Sequence, residues 1–108
     1  MKRGEIWTVA GGRGYAGKPR PAVILQADEF DRTDSITTCL LTTVRVDAPD
    51  FRIAIAATRA SGLREESFAM IDKVSTIERQ QIGQRIGHVD PEELAQINTA
   101  LMVFLGLT

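Results

Sequence analysis

The chain has 108 residues, 44% of them hydrophobic and 25% charged, which is the size and composition of one soluble domain, 1–108, with a single core. Thirteen Lys and Arg against 14 Asp and Glu leave a net charge of −1, which excludes a wholly basic nucleic-acid binder but leaves room for a local basic patch. One cysteine, Cys39, and one histidine, His88, exclude an intramolecular disulfide framework and any ordinary zinc finger.

The start, Met1-Lys2-Arg3-Gly4-Glu5-Ile6-Trp7, turns polar before an apolar stretch develops. No apolar run approaches the roughly 18 residues of a membrane span, so the expectation is a cytoplasmic protein without signal peptide or membrane anchor. Glu5–Val9 alternates as a short strand. Gly11, Gly12, Gly14 and Gly17, closed by Pro19 and Pro21, then predict a loop of about ten residues, a length that in a compact domain is often functional. Pro21–Gln26 is a continuous apolar run with a β-branched centre, read as a buried strand entered through its proline. Asp28–Asp34 is turn-like, Ser35–Thr42 is a third strand, and Arg52–Ala56 alternates as a half-solvated one. Ser67–Ile71 begins another strand that extends to about Ile77, Thr76–Ile82 has the makings of a short helical turn, and Gln84–Val89 is the last strand. Asp90 as N-cap, Pro91 at N1 and Glu93 at N3 open a helix, carried by Leu94, Ile97, Leu101, Phe104 and Leu105 and stopped by Gly106. The fold class is mainly β with helices (α+β): a small antiparallel, barrel-like sheet covered by a C-terminal amphipathic helix.

Charge is uneven along this order. The first twenty residues carry Lys2, Arg3, Arg13, Lys18 and Arg20 against Glu5 alone, so a basic segment sits on an acidic body. Gly12-Arg13-Gly14-Tyr15-Ala16-Gly17 matches a dinucleotide fingerprint, but the Lys18-Pro19-Arg20-Pro21 that follows does not open the helix such a site requires. Gly12 to Lys18 nearly reads as a phosphate-binding loop of the nucleotidases, but Pro19 stands where the metal-holding hydroxyl belongs. What remains is a positively charged loop that delivers Lys18 and Arg20 to the mouth of a buried strand. The Arg20 guanidinium there can fork onto two phosphate oxygens at any working pH. By local pattern alone Thr42-Thr43 is a strand end, Asp72 a turn cap or partner of Lys73, Trp7 and Phe51 packing residues, and His88 a structural histidine.

Taken together, Lys2-Arg3-Gly4-Glu5-Ile6-Trp7, the Gly-rich loop, Arg20–Gln26, Leu41-Thr42, Asp72–Ile77 and Asn98-x-x-Leu101-x-x-x-Leu105-Gly106-Leu107 resemble, in order and over essentially the whole chain, the MazF/PemK-type ribonuclease toxins. The resemblance implies a homodimeric, cofactor-free and metal-independent endoribonuclease. It would cut single-stranded RNA at short sequences, leave 2′,3′-cyclic phosphate and 5′-hydroxyl ends, and be held in check by a cognate antitoxin. It makes Arg20 and Thr42 the catalytic pair, adds Asp72 as a third candidate and general base, and places Lys18, Gly17, Thr43 and Ser75 along the RNA. The chain departs from the family pattern at Met70, where members that use the aspartate carry an arginine, which argues against an acid–base pair with Asp72, and at Ser75, where an arginine is usual, which weakens phosphate binding near that strand. Gyrase-poisoning toxins of the CcdB type share the architecture and are the alternative, one that gives Arg20 and Thr42 no role; a non-catalytic RNA- or protein-binding module, which would retain RNA without cutting it, is another.

Overall fold

The computed structural model describes residues 1–10 and 18–107. Six strands, β1 (Glu5–Val9), β2 (Arg20–Ile24), β3 (Ser35–Thr42), β4 (Arg52–Ile55), β5 (Ser67–Glu78) and β6 (Ile82–His88), form one antiparallel sheet in the order β4-β5-β3-β2-β1-β6. Helix α1 (Pro91–Phe104) packs against β4 and β5. The helix starts as its sequence dictates: Asp90 Oδ1 accepts from the Glu93 N–H at 2.7 Å, and Glu93 Oε1 accepts from the Asp90 N–H at 2.9 Å. Glu93 Oε2 also accepts from the Ala56 N–H at 2.8 Å, so one carboxylate caps the helix and ties it to the end of β4.

The core lies between the helix and one face of the sheet. Ile6, Val23, Cys39, Leu41, Ile55, Ala69 and Ile71 meet Ile97 and Ala100 from α1. Phe51 closes the far end against Phe104, with ring centroids 5.9 Å apart. Phe104 and Leu105, two of the five apolar positions that define the helix in the sequence, are nevertheless largely exposed, as are Met102, Val103 and Leu107.

The expected barrel-like sheet is present, but strand pairing does not close it. Residues 56–62 span the gap between the edge strands β4 and β6. The His88 N–H donates to the Ala60 carbonyl at 2.9 Å, and Ser61 Oγ–H donates to the Ala56 carbonyl at 2.8 Å. This covers part of an edge that would otherwise offer unpaired backbone groups.

Strand bounds at β2, β4, β5 and β6 differ by one or two residues from those expected, and one expected helical turn shrinks. β2 begins at Arg20, and Pro21 falls just before the first β2–β3 pair, Ala22↔Leu40, where a missing N–H costs least. The helical turn expected over Thr76–Ile82 shrinks to a 3₁₀ turn at Arg79–Gln81. Thr76, Ile77 and Glu78 remain in β5 opposite Thr37, Ile36 and Ser35, held by cross-strand pairing that includes Thr37 Oγ1 and Thr76 Oγ1 at 3.2 Å. β5 is also irregular: between Cys39↔Val74 and Leu41↔Ala69, Leu40 alone stands opposite Met70, Ile71, Asp72 and Lys73. Among the described residues no helix is long and apolar enough to cross a membrane.

Candidate active site

Arg20 is the first residue of β2 and Thr42 the last of β3. Continuing the Ala22↔Leu40 register outward sets Arg20 across from Thr42, and residues two apart on a strand share a face, so both side chains emerge on the same side of the sheet. They line one recess of about 360 Å³ together with Leu40, Thr43, Met70 and Lys73. The backbone N–H of Val44 donates to Thr42 Oγ1 at 3.1 Å. That bond fixes the oxygen and leaves the hydroxyl proton to be donated outward. A cation and an oriented hydroxyl at the ends of adjacent strands are chemically able to bind an anion such as the non-bridging oxygens of a phosphodiester.

Asp72 lies on the same irregular stretch of β5 but is not part of that lining. Its carboxylate is held by Arg52, Nε to Oδ1 at 2.9 Å and Nη2 to Oδ2 at 3.1 Å, in a pair whose side chains are only 11% (Arg52) and 22% (Asp72) exposed. The hydrogen bonds from Arg52 hold the Asp72 carboxyl below the usual carboxylate range, against a partial penalty from burial. A carboxylate with both oxygens engaged and a depressed pKa is a poor proton acceptor. The same pair gives a stability prediction. A carboxyl whose pKa is depressed on folding contributes stability that is complete above its unfolded value, near 3.9, and is lost as pH falls through the folded one. Wild type is therefore expected to lose melting temperature below about pH 4 more steeply than an Asp72→Asn variant, as read by thermal melts between pH 2 and 7. Beneath this pair, burial and the Asp72 charge push the Cys39 thiol up to about 12, so it stays protonated and takes no part as a nucleophile.

The remaining sequence candidates separate. Lys18 lines a second recess of about 630 Å³, bounded also by Thr8, Arg64, Glu65 and Ser67. Thr43 borders both recesses. Ser75 lies in neither: it pairs with Thr38, whose Oγ1–H donates to the Ser75 carbonyl at 3.2 Å. Gly17 and the rest of the glycine loop lie outside the described residues. Lys73 is a charged lining residue that the sequence did not mark as part of a site. Its place there follows from the β5 irregularity, which no local pattern announces. His88 stays structural in position, with Nδ1 3.1 Å from its neighbour's carbonyl, Val89 O.

The family model for PemK-like, MazF-like toxins of type II toxin–antitoxin systems matches residues 2–105. A probable endoribonuclease MazF of Mycolicibacterium smegmatis is 45% identical, over 99% of this chain and 98% of the relative. Among solved structures, a mycobacterial endoribonuclease in complex with its cognate antitoxin is similar over 100% of this chain and 97% of its own, with a TM-score of 0.81 and 26% identity. A MazE–MazF structure from Deinococcus radiodurans, at 17% identity, shares the fold with a TM-score of 0.82 over 100% of this chain and 98% of its own.

Proposed function

From a chain that belongs to the PemK-like, MazF-like toxin family of type II toxin–antitoxin systems and is an endoribonuclease, we propose a metal-independent enzyme that cuts single-stranded RNA in the Arg20–Thr42 recess. The observation that carries this reading is the meeting of a guanidinium from the start of β2 and a fixed hydroxyl from the end of β3 in one small recess. RNA carries its own nucleophile, so the protein has only to orient the strand and stabilise charge. The 2′-oxygen bonds to the adjacent phosphorus while its proton passes to solvent. The bond from phosphorus to the 5′-oxygen breaks, and that oxygen takes up a proton, leaving a 2′,3′-cyclic phosphate and a 5′-hydroxyl. Arg20 neutralises charge building on the phosphorane oxygens and Thr42 donates a hydrogen bond to one of them. Lys18 and Thr43, around the neighbouring recess, hold the flanking nucleotides. The acidic body makes binding local, so recognition rests on splayed bases in the loops rather than on a broad positive surface.

The exposed apolar residues at the C-terminal end of α1 and just beyond it, Met102 through Leu105 with Leu107, support a homodimer that covers them, and membership of a toxin–antitoxin family supports a cognate antitoxin as partner and a cytoplasmic setting. The test is cleavage of a long single-stranded RNA in excess EDTA, with end groups mapped. Wild type is expected to give discrete cuts with cyclic-phosphate ends, and Thr42→Val, which keeps the shape and removes the hydroxyl, to cut about 10–100-fold more slowly at the same sites. Intact RNA across several substrates would leave the gyrase-poison or binding-module reading in its place.

A further inference from the structure

Lys73 lines the Arg20–Thr42 recess from the stretch of β5 that is irregular where it passes Leu40. Bulged strands re-aim side chains, and here the extra residues Met70–Lys73 turn one more cation toward the site. The irregular stretch is pinned at two points. The Ile71 N–H donates to the Phe51 carbonyl at 3.0 Å, and Asp72 is gripped by both arms of the Arg52 guanidinium. The Arg52 grip has a second consequence. Asp72 immediately precedes Lys73 and feels its charge. Without Arg52, the nearest compensation for a half-buried carboxylate is the Lys73 ammonium, on a flexible stem able to fold back onto it.

We propose that Lys73 is a further catalytic residue, contacting the scissile phosphodiester beside Arg20, and that Arg52 and Asp72 are positioning residues that hold the β5 irregularity and keep Lys73 from being captured by the carboxylate. This rests on the reading of the recess as the RNA site. Arg20 forks onto the phosphorane, while the compact ammonium of Lys73 meets a second charged oxygen. Asp72 accepts no proton in this scheme, because its two oxygens are committed to Arg52.

The experiment measures single-turnover cleavage of a single-stranded RNA carrying one mapped site, in EDTA, with thermal melts on every variant and Arg20→Ala run alongside. Lys73→Gln changes an exposed side chain, so its melt should match wild type while its rate falls about 10–100-fold; Lys73→Arg should recover most of the loss. Arg52→Gln should slow cleavage comparably. The double variant Arg52→Gln/Asp72→Asn removes the carboxylate that captures Lys73 and should recover at least about tenfold over Arg52→Gln alone. A fold role by itself produces no such rescue. Lys73→Gln within about twofold of wild type, with Arg20→Ala inactive, would overturn the proposal while leaving the site reading intact. Inactivity of both Asp72→Asn and the double variant, each still folded, would overturn it in favour of Asp72 as general base. Full activity of Arg20→Ala would remove the site reading and this inference together.

Discussion

Replacing Arg20 with alanine is expected to reduce RNA cleavage by at least about 10²–10³-fold without unfolding the protein. The size follows from the chemistry. In the proposed mechanism the phosphorane would concentrate negative charge on oxygens that the guanidinium would meet with two hydrogen bonds in a recess shaped by Leu40, Thr42 and Met70. Removing one preorganised donor from such a charge costs about 2.7–4 kcal/mol of transition-state stabilisation. Arg20 is half-buried at the first position of β2, beyond the end of the β2–β3 ladder at Ala22↔Leu40, so truncation leaves the strand's central pairing and the core on the opposite face in place. Arg20→Lys should retain part of the activity, since it keeps the charge and loses the fork. The measurement is the single-turnover rate on a defined single-stranded RNA together with a thermal melt. A folded Arg20→Ala that cuts at the wild-type rate would take Arg20 out of the mechanism.

The largest stability effect is expected at Gly62. The segment 56–62 crosses the open side of the sheet with its backbone directly against that of β6, and two glycines make the approach possible. Gly62 has φ +70°, and a Cβ there would be driven into the Ile86 carbonyl, with the Ile86 carbonyl carbon only 2.8 Å away. On the facing strand, a Cβ on Gly87 would run into the backbone of Ala60 and Ser61. Gly62→Ala therefore combines a left-handed backbone, costing about 1–2 kcal/mol, with a clash against main chain that cannot swing aside, worth about 1–3 kcal/mol more. At roughly 4–8 °C per kcal/mol for a domain of this size, the melting temperature should fall by at least about 8 °C. Gly106, also at φ +70° but with nothing within 4 Å of its Cβ position, is the internal control: Gly106→Ala carries only the backbone penalty. Equal melting temperatures for the two alanine variants would show that the close approach between 60–62 and 86–87 is not what holds the open side of the sheet.

The secondary structure was legible wherever local chemistry decides it. Ser35–Thr42 and Glu5–Val9 form strands with the bounds their alternation and β-branched content imply, and the Asp90–Pro91–Glu93 start builds the expected cap. The expected turn over Thr76–Ile82 was too long because Thr76 and Ile77 find partners in β3, a contact between residues some forty positions apart. The site was legible in part. Arg20 and Thr42 each stand at a strand end marked in the sequence, and the family resemblance joins them. By local pattern Asp72 is a turn cap or partner of Lys73 and by resemblance a candidate base; that Arg52, twenty residues away, bonds both of its oxygens is visible only in the fold.

The sequence by itself determined the strand and helix inventory, the cap, the basic segment and the family, because propensity, periodicity and residue order are carried by neighbours along the chain. The tertiary structure alone decided that the sheet stays open and is bridged by 56–62, that Asp72 is spent on Arg52, and that Lys73 joins Arg20 in one recess. Each of these depends on register and irregularity between strands distant in sequence, and a shift of one residue there turns a side chain to the opposite face without altering any local pattern.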